Sequence, residues 1–304
     1  MPSPIGTIKR ERARRNTPAW GFSLEGLLRD KILFDHFLRG AGFPAPEPLG
    51  VIADDAYRQF WPERRTVDLE DVPAMLAGHS AFVKRARGKG GAGSFAVEFT
   101  SRGARIGHDM LSGKKFAAHV RALMRRGRKS PGSQRLVVQE KLANAPEVAA
   151  IYDQCINTVR FLTHYHRQGP EVFSVLLRVG AFGSVVDNWD AGGLVIPVDP
   201  DTGRLTGPGV VKKTRQRLKR HPDSGRRLEG VQLPCFGAAR RMVEMAHVLL
   251  PDLVTIGWDV ALTPDGPMIL EANTKWDITM HHLTDPDFAS FVTTEIFPLK
   301  SKVS

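Results

Sequence analysis

GWDVALTPDGPMILEANTKWD, residues 257–277, sets two runs of strand-forming residues on either side of TPDG, a tetrapeptide with Pro and Gly where a hairpin wants them. With the hairpin centred on Asp265, position 259 lies opposite 271, and facing residues of an antiparallel pair project to the same side. The two-residue period of a strand adds Asn273 to that side. Trp258, Val260, Leu262, Met268 and Leu270 fall on the other side and read as core. Two carboxylates and an amide oxygen are hard donors that suit Mg²⁺ or Mn²⁺ and not zinc, and Mg²⁺ so held completes its shell with water and substrate phosphates. A solvent-exposed polar strand face produces the same pattern, so the choice between the two falls to the rest of the chain.

Two further segments carry chemistry. FVKRARGKGGAGSF, residues 82–95, ends a strand at Lys84 and continues into a loop with glycines at 88, 90, 91 and 93. Glycines let backbone N–H groups approach an anion closely, and Lys84 and Lys89 put charge where a phosphate would sit. The loop matches neither the P-loop nor the dinucleotide fingerprint, and a flexible hairpin tip is also glycine-rich. VVQEKLANAPEVAA, residues 137–150, places Glu140 and Glu147 after a strand, where they can accept hydrogen bonds from an adenine amino group and from ribose hydroxyls; an ordinary loop reads the same way.

Around these segments the periods define elements. Ser23 caps a helix with Leu24, Leu27, Leu28, Ile32 and Leu38 at helical spacing, ended by Gly40, Gly42 and Pro44, and preceded by a polar N-terminal arm. PAPEPLGVI leads to a short extended stretch and a loop-rich region with Trp61 and Pro62 that runs to about residue 79, followed by strands 81–85 and 94–99, a helix from Ser112 to Gly127 and a strand 136–139. Strands 156–163, 172–179, 194–198, 254–262 and 268–271 follow, interrupted by a helix from Pro234 to Pro251. The pattern predicts two α+β lobes meeting at a cleft. The expected division is an N-terminal arm and helix over 1–79, a small lobe over 80–141 and a large lobe over 142–304.

The chain has 304 residues, 42% hydrophobic and 25% charged, which is enough to bury a substantial core. No apolar run approaches the roughly 20 residues that span a bilayer, and the basic N-terminus lacks the apolar stretch of a secretory signal. Cys155 and Cys235 form no disulfide framework and no zinc motif, so the expected setting is cytoplasmic. A net charge of +11 favours anionic partners. The basic clusters Lys9 to Arg15, Arg121 to Arg135 and Lys212 to Arg227 lack the aromatic platforms of a nucleic-acid surface and read as solvated loops and helix faces.

The order of these parts resembles the ATP-grasp superfamily, specifically D-alanyl-D-alanine ligases and related carboxylate-amine ligases, over most of residues 30–283. The resemblance implies an α+β ATP-grasp fold whose two lobes grip ATP between them. It gives Lys31, in DKILFDHFLRGAGFPAPEPLGV, a contact with ATP phosphates, and Lys84 the α-phosphate. The flap after Lys84 carries Lys89, Gly90, Gly91 and Gly93. Glu140, Lys141 and Leu142 then cradle adenine, and Glu147 meets the ribose. Two magnesium ions, for which Mn²⁺ substitutes, fall to Asp259, Glu271 and Asn273. INTVRF resembles the strand of the active-site arginine, which places Arg160 at the transferred phosphoryl group; a structural salt bridge is its other reading. The length and GSVVDNWDAGGLVIPVD are most similar to the sugar-transfer associated ATP-grasp group.

The implied reaction is carboxylate-amine ligation through an acyl phosphate, forming an amide and releasing ADP and phosphate, on small-molecule or glycan substrates. A kinase acting on a hydroxyl is the nearer alternative, and a basic nucleic-acid-binding protein the distant one. A homo-oligomer is compatible with the sequence. Classical members have a full α/β domain ahead of the opening helix, and about 30 residues are too few for one. Substrate recognition therefore falls to Asp187, Asn188 and Asp190, to the stretch 212–227, to the arm or to a partner chain. His281 and His282 read as surface residues.

Overall fold

In the computed structural model, the residues described are 4–15, 24–60, 63–88, 93–126, 134–187, 189 and 192–297. They fall into two compact units, one within Arg29–Gly40 and Ala45–Leu142, the other within Met1–Leu28, Ala41–Pro44 and Ala143–Ser304.

The smaller unit is an eight-stranded antiparallel sheet. Its strands are β1 (Pro48–Ala53), β2 (Ala56–Gln59), β3 (Thr66–Asp68), β4 (Ser80–Arg85), β5 (Phe95–Thr100), β6 (Gly103–Ile106), β7 (Asp109–Leu111) and β8 (Leu136–Glu140). They run in the order β3-β2-β1-β8-β4-β5-β6-β7. The helix Gly113–Arg126 lays Phe116, Ala117 and Val120, spaced for one face, on a core of Ile52, Tyr57, Val83, Val97 and Phe99. The extended stretch expected after PAPEPLGVI is β1, and the region expected as loop from there to residue 79 forms β2, β3 and a short helix, Val72–Met75. These two strands are only four and three residues long, too short for alternation to show against their Pro and charged neighbours.

The expected opening helix is two, Leu24–Arg29 and Lys31–Gly40. Asp30 between them is fully buried, and its Oδ1 accepts from the Leu33 amide at 3.4 Å, which starts the second helix. Its Oδ2 accepts from Arg87 at 2.9 Å and Arg135 at 2.6 Å.

The larger unit holds a seven-stranded antiparallel sheet of β9 (Thr158–His166), β10 (Gly169–Val179), β11 (Leu194–Val198), β12 (Gly209–Val211), β13 (Arg217–Leu218), β14 (Thr255–Thr263) and β15 (Gly266–Asn273). The order is β13-β12-β11-β10-β9-β14-β15. One face is covered by the helix Phe236–Val248, whose buried Phe236, Ala239, Met242, Val243 and Ala246 keep the three-and-four spacing. Phe161 and Trp258, opposite one another in β9 and β14, meet its Phe236 and His247.

Part of the other face lies under a cluster formed by the N- and C-terminal segments. Leu162 and Trp276 pack there with Ile278, Phe288, Val292, Ile296 and Ile8. The segment expected as a polar arm is thus partly a helix, Pro4–Arg15, with Ile8 fully buried and the Arg12 guanidinium donating to the Trp276 carbonyl at 2.6 Å. Its two isoleucines are too few to reveal a period among so many charges.

His247 illustrates a cost of this packing. It is fully buried, its Nε2–H donates to the Leu253 carbonyl at 2.7 Å, and burial lowers its pKa from 6.5 to about 4. Between those values the unfolded chain binds the proton and the folded chain does not, so stability rises with pH. Acidification from pH 6.5 to 4 therefore costs up to about 3 kcal/mol at this residue. Thermal melts of the wild type and His247→Gln across that range should differ in slope, the wild type being steeper; parallel curves would reject the assignment.

Candidate active site

Of the residues expected around a nucleotide, Lys31, Lys84, Gly93, Glu140, Lys141 and Leu142 belong to the smaller unit. Val137, opposite Lys84 in the β4–β8 ladder, packs with Ile32 and Ala86. Paired residues share a side, so Lys84 lies on the side where the Lys31–Gly40 helix sits. Both lysines are buried, and Lys31 Nζ donates to the Gly88 carbonyl at 3.3 Å, at the start of the glycine-rich loop. Lys89, Gly90 and Gly91 lie outside the described residues. Gly93 has φ +78°, a left-handed backbone that strains an L side chain, so the position favours glycine. Glu140 Oε1 accepts from the Glu47 amide at 2.8 Å, tying the end of β8 to the segment before β1; Lys141 is exposed and Leu142 half-buried.

Glu147 belongs to the larger unit, on the short helix Pro146–Ala149, and lines a surface groove with Arg220, Arg226, Arg227 and Gln232.

The larger sheet carries the charged site. Asp259 pairs with Glu271 across β14–β15 and with Arg160 across β14–β9, and Asn273 lies opposite Gly257. The hairpin geometry differs in one respect. Thr263 pairs with Gly266 across a two-residue turn, and a bulge between Asp259 and Val260 shifts the register by one, which restores the Asp259–Glu271 pair. The residues between turn and bulge change sides: Met268 pairs with Ala261 on the side of Asp259, and Ile269, fully buried, takes the core side expected for Met268 and Leu270.

Asp259 is nearly inaccessible, and both oxygens of its carboxylate accept from arginine. Oδ1 accepts from Arg160 Nε at 2.6 Å and Arg178 Nη1 at 3.1 Å, and Oδ2 from Arg160 Nη2 at 2.8 Å. Arg178 Nη2 also donates to Asp187 Oδ1 at 3.4 Å, and the Thr158 hydroxyl donates to Asp187 Oδ2. Arg178 is the residue sequence reasoning missed. A single charge in the apolar strand VFSVLLRV was its signal, and β10 carries it beside the Arg160–Asp259 pair.

Burial pushes the Asp259 carboxyl up, but Arg160 and Arg178 outweigh it and hold it below the usual range. At Asp187 burial dominates over Arg178 and Thr158, and the carboxyl rises. Burial works against the Arg178 charge, yet Asp187, Asp259 and Glu271 raise its pKa. The loop bearing Asp187 is tied down from outside: Gly180 N–H to Asn157 Oδ1 at 3.0 Å, Phe182 N–H to Asp223 at 2.7 Å and the Tyr152 hydroxyl to the Ser184 carbonyl at 2.7 Å. Asn188 and Asp190 lie outside the described residues.

His281 is buried, not a surface residue; its Nδ1 is 2.7 Å from the Ser174 hydroxyl, and burial, with Arg160, keeps it neutral. Lys212, from the basic stretch, reaches Asp277 at 3.6 Å and lies over the Trp189 ring.

Asp259, Glu271 and Asn273 fit magnesium in kind, since all three offer oxygen and the arginines keep Asp259 ionised. Among the described residues no three histidine, cysteine, aspartate or glutamate side chains gather for a metal, so two carboxylates and one amide are what this strand face offers.

These two antiparallel sheets with their helices form an ATP-grasp fold. The model of the sugar-transfer associated ATP-grasp proteins matches residues 21–287, and the chain belongs to that family. No curated protein matches the sequence. Among solved structures, biotin carboxylase from Campylobacter jejuni, in a β-γ-ATP complex, is 10% identical with a TM-score of 0.50, covering 92% of this chain and 49% of that one. An L-amino acid ligase from Bacillus licheniformis is 11% identical, TM-score 0.49, covering 91% and 50%. The D-alanine-D-alanine ligase from Coxiella burnetii is 11% identical, TM-score 0.43, covering 83% and 50%. The chain spans about half the length of these solved chains.

Proposed function

We propose that the protein is an ATP-dependent carboxylate-amine ligase. Family membership supports the nucleotide, and the observation that carries the reading is the strand face where Asp259 and Glu271 stand opposite one another with Arg160 beside them. Asp259, Glu271 and Asn273 would hold magnesium, two ions in the full reading with Mn²⁺ as a substitute, and the metal would neutralise phosphate charge. Lys31 and Lys84 bind phosphate oxygens, while Glu140, Lys141, Leu142 and Glu147 bind adenine and ribose. The flap with Lys89, Gly90, Gly91 and Gly93 closes over the phosphates and excludes water, which would otherwise hydrolyse an acyl phosphate.

The substrate carboxylate attacks the γ-phosphorus and ADP leaves. Arg160 stabilises charge on the moving phosphoryl group. An amine then attacks the acyl carbon, loses its proton and displaces phosphate, giving an amide. Asp187, Asn188 and Asp190 take the substrate side. Free ATP places this chemistry in the cytoplasm, and among the described residues no helix is long and apolar enough to cross a membrane.

The test is ADP release screened against carboxylates and amines in all pairs, with hydroxylamine as trap. Dependence on both partners and a hydroxamate from the carboxylate alone are expected; a phosphorylated hydroxyl stable to hydroxylamine would make the protein a kinase instead. Lys84→Ala should weaken ATP binding about tenfold or more in calorimetry, as loss of a charged hydrogen bond costs about 1.5–3 kcal/mol. Unchanged affinity rejects its role.

A further inference from the structure

Both oxygens of Asp259 are taken by Arg160, and Oδ1 also accepts from Arg178. A carboxylate oxygen has room for about two partners; Oδ1 is full, and a cation reaching the one open place on Oδ2 must displace Arg160 or crowd against its like charge. The arginines' other contacts indicate which gives way. Among the described residues the Arg160 side chain hydrogen-bonds to Asp259 alone. Arg178 is anchored a second time, on Asp187, which Thr158 and the tied-down loop hold in turn.

We propose that Arg160 and a divalent cation are alternative partners of Asp259, and that Arg178 is the positioning residue that holds the carboxylate through the exchange. The inference rests on the metal assignment proposed above. Without cation, Arg160 is stored on Asp259. The arriving cation releases a planar guanidinium fork that suits two phosphoryl oxygens, so cation binding and the freeing of the anion-binding arginine are one event.

The probe is Mn²⁺ without nucleotide, its binding followed by electron paramagnetic resonance. Arg160→Lys keeps the charge and loses the fork, and should bind Mn²⁺ about tenfold more tightly, because a larger fraction of Asp259 is open. Arg178→Lys keeps the charge but loses the two separate Nη groups that reach Asp259 and Asp187, and should bind about tenfold more weakly. Charge alone predicts no change in either. Unchanged or weaker binding in Arg160→Lys, or unchanged or tighter binding in Arg178→Lys, overturns the exchange. Should Arg178→Lys fail to fold, the arginine Nε–H resonances of the wild type decide. Added Mg²⁺ should move the Arg160 signal and leave that of Arg178, and the reverse overturns the proposal. A wild type that binds neither Mn²⁺ nor Mg²⁺·ATP removes the metal assignment itself; Mn²⁺ binding unaffected in Arg160→Lys removes only the exchange.

Discussion

Glu271→Gln yields a folded chain whose ATP-dependent ADP release is lower by about 10³-fold, the loss expected when one preorganised charge at a phosphoryl-transfer site is removed. The substitution keeps shape and one carbonyl oxygen and removes the anion. Glu271 is half-buried, and Arg178 keeps both Asp187 and Asp259 when the charge at 271 is removed, so melting should shift by no more than the equivalent of about 0.5 kcal/mol. Stopped assays for ADP alongside a thermal melt separate the effects. Normal turnover in the variant would mean that the strand face of β14 and β15 holds no essential metal. A large loss of stability would mean that Glu271 is structural.

Arg178→Ala has the opposite character. Removing it leaves Asp187 without its guanidinium and takes one of two from Asp259, in a site with little access to water. Breaking a buried pair by deleting one partner costs about 3–5 kcal/mol, against at most about 1 for an exposed pair. Urea unfolding measures it. Adding Asp187→Asn should return about 1–2 kcal/mol of the loss, because the two sites share one interaction. A cost under about 1 kcal/mol for Arg178→Ala sinks the view that this arginine neutralises buried charge.

The sequence showed best what local chemistry dictates. The pairing of Asp259 with Glu271 was legible because strand period and turn residues constrain it, and the helix Phe236–Val248 because its apolar spacing is regular. The bulge was not legible: shifting one residue in a hairpin leaves composition and length unchanged, and only the ladder shows that Ile269 takes the core side. Arg178 stayed hidden because its meaning lies in two carboxylates from distant segments. The same holds for Asp30, which reads as one more polar residue in a helix and is a buried anion between Arg87 and Arg135.

The packing of Ile8 against Phe288, Val292 and Ile296 has a consequence for assembly during synthesis. Residues 29–40 and 45–142 contain everything that builds the smaller unit, which can close while the ribosome is still extending the chain. The larger unit cannot, since Ile8 of its first helix must wait for partners that follow only at Phe288, Val292 and Ile296, and contacts of such separation are slow to form. The early helix, with its row of cations and two waiting isoleucines, spends most of translation without its hydrophobic seat.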